Sequence, residues 1–142
     1  MAKRRIIEGY ARMWPREVFE KVAPIVGSRK AIMAKSSEFL SGPGVYVLYR
    51  DDEPYYVGHA DRLRFRLWCH AVKPNDQYYH FWNFFSAFAV EEKEYRNEIE
   101  GVLIAAMPAV ANSAKPKLPK ERVPKDVGNL LRKIYGGRVS LS

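Results

Sequence analysis

The chain contains 142 residues, 47% of them hydrophobic and 13% aromatic, which is enough for one domain with its own core. Its 24 Lys and Arg residues outnumber the 16 Asp and Glu residues, so the net charge is +8 and the surface should attract polyanions, above all nucleic acid. The single cysteine, Cys69, excludes an internal disulfide framework and favours a reducing compartment, by default the cytoplasm. A basic ribosome-associated protein and simple solubility charge are the alternatives that composition leaves open.

Export and membrane insertion are not expected. The first residues lack the basic start, apolar segment and cleavage site of a signal peptide. The longest uncharged apolar run, residues 101–111, is far shorter than the roughly 20 residues that span a bilayer, and Pro108 interrupts it.

The first forty residues are predicted to form an N-terminal helical extension, residues 1–40. Residues 14–25 have the pattern of an amphipathic helix, with Pro15 in the first turn and Val18, Phe19 and Val22 on one face. The turn-forming run Ser-Gly-Pro-Gly at residues 41–44 ends this extension.

The following segment alternates with a period of two and predicts a β-hairpin. Val45, Val47 and Tyr49 share one face of the first strand, and Tyr46 and Leu48 share the other. Residues 51–54 supply a turn, after which residues 55–58 resume as a strand. Residues 81–90 are aromatic and β-prone, so they predict a third strand.

Two helices are predicted around that third strand. Residues 61–72 form the first, with Asp61 as its N-cap and Leu63 and Leu67 facing the core. A basic stripe at the same spacing borders the core and consists of Arg62, Arg66 and His70. Residues 91–107 form the longest helix. The C-terminal tail, residues 116–142, is basic and contains prolines, with a short helix expected over residues 127–134.

Glu100 is the first candidate for chemistry. On the predicted helix it precedes Leu103, Ile104 and Met107 along one apolar stripe, where a carboxylate is seldom placed without a partner. One interpretation is a boundary glutamate that reaches solvent or pairs with Arg96. The other is a metal ligand, because Mg²⁺ takes one or two carboxylates and keeps its other sites for water and phosphate.

The remaining candidates are ambiguous when taken singly. Tyr46 and Tyr56 on paired strands would ordinarily be packing residues, and Arg66 and His70 would ordinarily be a solvated basic edge. Cys69 and His70 are adjacent on a helix and so face about 100° apart, which makes them poor joint ligands for zinc and favours a buried cysteine.

Together, these residues follow an ordered pattern. The motif Gly44-Val45-Tyr46 is followed by a second motif, Tyr56-Val57-Gly58, and the two tyrosines are ten residues apart. Arg66 follows eight residues after the glycine of the second motif. Glu100 with its following aliphatic residues and Asn112 complete the order. This pattern resembles the GIY-YIG nucleases over residues 41–115, with valine in place of isoleucine in both short motifs and His59 where DNA-repair members often carry lysine.

The resemblance implies an α/β (α+β) fold, with a three-stranded antiparallel sheet flanked by helices, and an endonuclease that hydrolyses DNA phosphodiesters. Glu100 would hold one Mg²⁺ or Mn²⁺ ion, and Tyr46 would take the proton of the attacking water, relayed to His59 or His70. Arg66 would clamp the phosphate, and Tyr56 would donate to it or orient the water.

Other positions are expected to contribute to substrate binding. Arg62 and Arg64 would contact DNA beside Arg66, and Asn112 would fix the loop beside the site without a chemical role. Cutting of both strands by one small site would favour a homodimer or two sequential nicks. The alternatives are a non-catalytic nucleic-acid-binding module with this fold and basic tail, and a structural protein bound to ribosomes or partners through its termini.

Overall fold

Four antiparallel strands form one sheet in the structure, a computed structural model that describes residues 5–19, 38–107 and 118–136. The strand order is β1-β4-β2-β3. The strands are β1 (Gly9–Pro15), β2 (Gly44–Arg50), β3 (Glu53–Ala60) and β4 (Phe84–Ala89). Within the described ranges the helices are α1 (Leu63–Val72), α2 (Lys93–Ala106) and α3 (Lys125–Tyr135), and two short 3-10 turns lie at Arg16–Phe19 and Glu38–Leu40.

The larger core lies between one face of the sheet and α1. Tyr46 and Leu48 point to this face from the central strand β2, as their alternation predicts, and Leu63 and Leu67 meet them from the helix. Arg16 ties the end of α1 to this core, because its guanidinium donates to the carbonyls of Ala71 and Trp82. The core therefore fixes α1 and the segment that follows it against the sheet.

The smaller core lies on the opposite face, under α2. Val45, Val47 and Val57 are buried there. Helix α2 covers them with apolar side chains one or two turns apart, namely Ile99, Leu103 and Ile104. Since β2 is covered on both faces and β3 has a strand neighbour on one side only, β3 is an edge of the sheet that is reached from both helices.

The N-terminal segment differs from its prediction. Residues Trp14 and Pro15 end strand β1 instead of starting a helix, and β1 pairs with β4, so the sheet has four strands and not the predicted three. The ring of Trp14 packs edge-on against Phe85 at 6.1 Å between centroids, a contact with a residue distant in the chain. Such burial outweighs a local helical pattern. The rest of the predicted helix, residues 20–25, lies outside the described residues.

The other elements agree with the predictions apart from their ends. The hairpin, the strand in residues 81–90 and the helices in residues 61–72, 91–107 and 127–134 are all present, and the α+β class is confirmed. The predicted cap of α1 is wrong: Arg62 occupies the N-cap position without a side-chain hydrogen bond, and Asp61 instead pairs with Arg96 at 2.9 Å. Among the helices of the described ranges, none has the length and apolarity needed to cross a bilayer.

Candidate active site

Tyr46 and Tyr56 come together across the β2–β3 hairpin. Their ring centroids lie 6.0 Å apart on the face covered by α1. The backbone of Gly58 lies beneath both rings, and a Cβ atom there would come within 2.7 Å of the Tyr46 hydroxyl and of the Tyr56 ring. The glycine of the second motif is therefore required by the close approach of the two tyrosines.

The Tyr46 hydroxyl contacts His70, which α1 places directly opposite it. The Tyr46 oxygen lies 2.8 Å from His70 Nε2, and both side chains are buried. On its other side, His70 Nδ1 lies 2.9 Å from each carboxylate oxygen of Asp76. The Asp76 carboxylate can only accept a hydrogen bond, so His70 Nδ1 carries the proton and donates it. His70 Nε2 then accepts a hydrogen bond from the Tyr46 hydroxyl.

Asp76 is itself held in place by the loop after α1. Its Oδ1 accepts a hydrogen bond from the backbone amide of Tyr78 at 2.9 Å. The resulting series of hydrogen bonds, from Asp76 through His70 to Tyr46, is called the hydroxyl chain below. It contains a carboxylate, an imidazole and a hydroxyl in the order that activates a hydroxyl for proton transfer in hydrolases.

Burial sets the charge state of the hydroxyl chain. Desolvation raises the pKa of Tyr46 far above that of a free phenol, and the neighbouring Tyr56 raises it further, whereas Arg66 lowers it only in part. Desolvation also lowers the pKa of His70, and this effect outweighs the opposite influence of Asp76. At neutral pH the chain therefore holds a protonated tyrosine against a neutral imidazole, which is the arrangement needed to accept a proton at Nε2.

Arg66 and Tyr56 form the exposed side of the site. The exposed Arg66 lies close enough to the Tyr46 hydroxyl for its positive charge to lower the pKa of that hydroxyl. Tyr56 is half-buried, and desolvation together with Tyr78 raises its pKa to about 12. Both groups therefore stay protonated at neutral pH and can donate hydrogen bonds to an anion.

Glu100 lies on α2, which covers the opposite face of the sheet, and it contacts the edge strand β3. It is 9% exposed, and its Oε2 lies 2.5 Å from Nδ1 of His59, which follows Gly58 on the edge strand β3. Its charge contributes to the raised pKa of Tyr56, so the two side chains are within electrostatic range. Arg96 pairs with Asp61 and not with Glu100. The ion pair between Glu100 and Arg96, one of the alternatives from the sequence, is therefore not formed.

The two histidines have different positions. Both were candidates to accept the proton from Tyr46, and the structure places His70 on that hydroxyl and His59 on the Glu100 carboxylate. His70 is fully buried and so is not part of a solvated basic edge. Cys69 is buried and reduced, as predicted.

The remaining predicted residues are not gathered at the hydroxyl chain. Arg62 is exposed and lies over the ring of Phe65. Arg64 is half-buried, and two residues along a helix from Arg66 it faces another direction, so its substrate-binding role stays a prediction. Asn112 lies outside the described residues.

Sequence reasoning missed two residues of the site, Asp76 and Tyr78. The ring of Tyr78 stacks on Tyr56 with centroids 4.3 Å apart and lies edge-on to His70 at 5.2 Å. Asp76 could have been found from the sequence, because it is a carboxylate six residues after the helical His70 in a turn that contains Pro74. No local pattern distinguishes Tyr78 from its neighbours.

The donor set near Glu100 suits a hard cation that keeps most of its own water. Among the described residues, no group of three His, Cys, Asp or Glu side chains could hold a metal ion. One carboxylate matches the habit of Mg²⁺, which binds through one or two carboxylates plus water and phosphate oxygens. In the structure this carboxylate is 9% exposed and contacts His59, so a cation would have to share it with or displace that imidazole. The same set does not match a structural zinc site, which needs four side-chain ligands.

Comparisons of the chain with models of known families, with curated proteins and with solved structures find no match in any of the three. Function must therefore be inferred from the chemistry of the site itself.

Proposed function

We propose that this protein is a metal-dependent endonuclease of the GIY-YIG type that hydrolyses DNA phosphodiester bonds. The observation that carries the proposal is the hydroxyl chain from Asp76 through His70 to Tyr46, set beside the exposed Arg66. Tyr46, Tyr56 and Arg66 are near one another on the face of the sheet covered by α1, and Glu100 is within electrostatic range of Tyr56. The net charge of +8 suits a polyanionic substrate.

Tyr46 transfers a proton in this mechanism without being ionised beforehand. Because burial keeps its hydroxyl protonated, Tyr46 passes its own proton to Nε2 of His70 while its oxygen takes the proton of the attacking water. Asp76 stabilises the imidazolium that results and holds the tautomer that can accept the proton. The water oxygen forms the new bond to phosphorus, and the bond to the departing sugar oxygen breaks.

Arg66 and Tyr56 bind the phosphate. The guanidinium can donate two parallel hydrogen bonds to phosphate oxygens and stays charged throughout, so it stabilises the negative charge that accumulates in the transition state. With a pKa of about 12, the Tyr56 hydroxyl remains a donor to the same group. Tyr46 itself is 1% exposed, whereas Arg66 is exposed and Tyr56 is half-buried, so these two residues are the ones available to contact a phosphate.

Glu100 is the residue that would hold the divalent cation, one Mg²⁺ or Mn²⁺ ion per site, with His59 beside it. When bound, such an ion supplies positive charge to the phosphoryl and departing oxygens. The carboxylate of Glu100 accepts a hydrogen bond from His59 in the structure, which orients it toward the edge strand. The location in the cytoplasm and a homodimer for double-strand cutting stay predictions from the sequence.

Plasmid cleavage tests the proposal with a matched pair of variants. Glu100→Gln removes the buried carboxylate of α2, and Glu98→Gln removes an exposed one from the same helix. Supercoiled DNA should be nicked or linearised by the wild type and by Glu98→Gln in the presence of Mg²⁺ or Mn²⁺, and not by Glu100→Gln. A wild type that is inactive with both metals would contradict the nuclease assignment, and a Glu100→Gln variant with wild-type activity would contradict the metal-binding role of Glu100.

A nucleic-acid-binding module without catalysis is the second candidate. The observation that favours it is the engagement of Glu100 by His59 at 2.5 Å, together with the near-complete burial of Tyr46. This function predicts binding that weakens steeply with salt, because counterions are released from DNA, and that does not respond to chelators or to Glu100→Gln.

A further inference from the structure

Two exposed aromatic rings lie next to each other on the outward side of α1. Phe65 is 47% exposed and Trp68 is 37% exposed. Their centroids are 6.2 Å apart and their planes are inclined by only 25°. The pair therefore presents apolar ring surface to solvent, where a ligand can contact it.

Two cations border the rings. The guanidinium carbon of Arg62 lies 4.8 Å from the centroid of Phe65, and the ammonium of Lys73 lies 5.9 Å from Phe65 and 5.7 Å from Trp68. These four residues, here named the aromatic platform, carry two positive charges and no negative one. Aromatic rings that stack bases, flanked by cations that hold phosphates, are the chemistry of surfaces that bind single-stranded nucleic acid.

The aromatic platform continues into the proposed catalytic site. Lys73 also lines an open cavity of 420 Å³ together with Arg66, His70 and Tyr78. Phe65 immediately precedes Arg66 on α1, so their side chains are separated by about 100° around one helix. A strand whose phosphate contacted Arg66 would therefore carry its neighbouring nucleotides past Lys73 to the rings.

We infer that the aromatic platform binds unpaired nucleotides next to the scissile phosphate. The preferred substrate is then DNA with a single-stranded segment, such as a flap, a branch or a gap, over a continuous duplex. In a duplex the faces of the bases are covered by their neighbours, whereas an unpaired base offers its face to an aromatic side chain. This inference rests on the proposed nuclease function for what happens to the bound DNA, while the stacking itself is measurable without cleavage.

Equilibrium binding in EDTA tests the inference. Fluorescence anisotropy would compare a labelled single-stranded oligonucleotide, the matching duplex and the duplex with a single-stranded flap. The double variant Phe65→Ala, Trp68→Ala should bind the single strand and the flap roughly tenfold more weakly or worse, and the duplex within about twofold of the wild type. The conservative pair Phe65→Tyr, Trp68→Phe should retain binding. Tyr10→Ala, which removes a 62% exposed ring from β1, should change nothing.

Several outcomes would overturn the inference. The double variant could bind the single strand as tightly as the wild type, or lose affinity for duplex and single strand alike. The wild type could also bind neither oligonucleotide. Melting temperatures show whether each variant is folded, and Trp68→Ala alone serves if the double variant is not. Because no metal is present, ring-dependent binding by a protein that fails to cleave plasmid would contradict the nuclease proposal alone.

Discussion

The buried hydroxyl of Tyr46 lies 2.8 Å from Nε2 of His70, although 24 residues separate them in the chain. The contact joins a central strand of the sheet to helix α1, and Asp76 extends it on the far side of the imidazole. A hydroxyl oriented toward a neutral imidazole can lose its proton without first becoming a free phenolate. This relationship is the basis of the first two predictions.

Asp76→Asn should slow cleavage strongly while leaving DNA binding intact. An amide at this position can donate to Nδ1 and so favours the tautomer with the proton on Nε2, which cannot accept from Tyr46. We expect single-turnover cleavage to fall by roughly 10²- to 10⁴-fold. Asp52→Asn, at the exposed β2–β3 turn, is the matched control. A cleavage rate within about twofold of the wild type would show that Asp76 does not act through His70.

Stability should decrease in mild acid because of His70. Burial lowers the pKa of this imidazole below its ordinary 6.5, so the unfolded chain binds a proton near pH 6.5 that the folded chain does not. The unfolded state therefore gains protons first as the pH falls, and the stabilisation present above pH 6.5 is lost below it. Urea unfolding at pH 5.5 and 7.5 should show a larger loss for the wild type than for His70→Gln. Equal losses would contradict a depressed pKa at this position.

Gly58→Ala should damage both the fold and the site. The added Cβ would come within 2.7 Å of the Tyr46 hydroxyl and of the Tyr56 ring, and overpacking of this kind costs about 1–3 kcal/mol. Urea unfolding should show this loss, and cleavage should fall with it because the two tyrosines must separate. Gly42→Ala is the matched control, since a Cβ there meets nothing within 4 Å. If the two variants were equally stable and active, the packing beneath the tyrosines would not limit the site.

Arg16→Lys should loosen the segment that carries Asp76 and Tyr78. The guanidinium donates to the carbonyls of Ala71 at 2.8 Å and Trp82 at 3.2 Å, at either end of that segment, and it also contacts the carbonyl of Tyr79. A lysine ammonium cannot reproduce this fork, and unsatisfied buried carbonyls cost about 1–3 kcal/mol.

Thermal and urea unfolding would measure this loss. The exposed Arg12 of β1 provides the control, because Arg12→Lys keeps its charge in solvent and should leave the unfolding midpoint unchanged. Coincident midpoints for the two variants would show that the Arg16 contacts do not stabilise the fold.

The hairpin and the helices could be predicted because their signals are local. The alternation of Tyr46 and Leu48 against Val45 and Val47 specifies which side of β2 meets each helix, and both cores follow it. The candidate site residues could be predicted for the same reason, because the order and spacing of the tyrosines, the arginine and the glutamate are visible in the sequence.

Strand β1 could not be predicted in this way. Its partner β4 lies more than 70 residues away, as the pairing of Ala11 with Ala87 shows, and the local pattern around Pro15 favours a helix. A ladder across that separation, together with the contact of Trp14 with Phe85, decides the outcome. Both interactions join segments that are distant in the chain, so a local sequence pattern does not indicate them.

The contacts of the candidate residues were decided by the tertiary structure. The sequence by itself determined that Tyr46, Tyr56, Arg66 and Glu100 are candidates, because residue type and spacing are properties of the chain. Only the folded structure assigned His70 to the Tyr46 hydroxyl and His59 to Glu100, and only it added Asp76. The physical reason is that hydrogen bonds and desolvation depend on distances of a few ångströms between segments whose separation along the chain carries no such information.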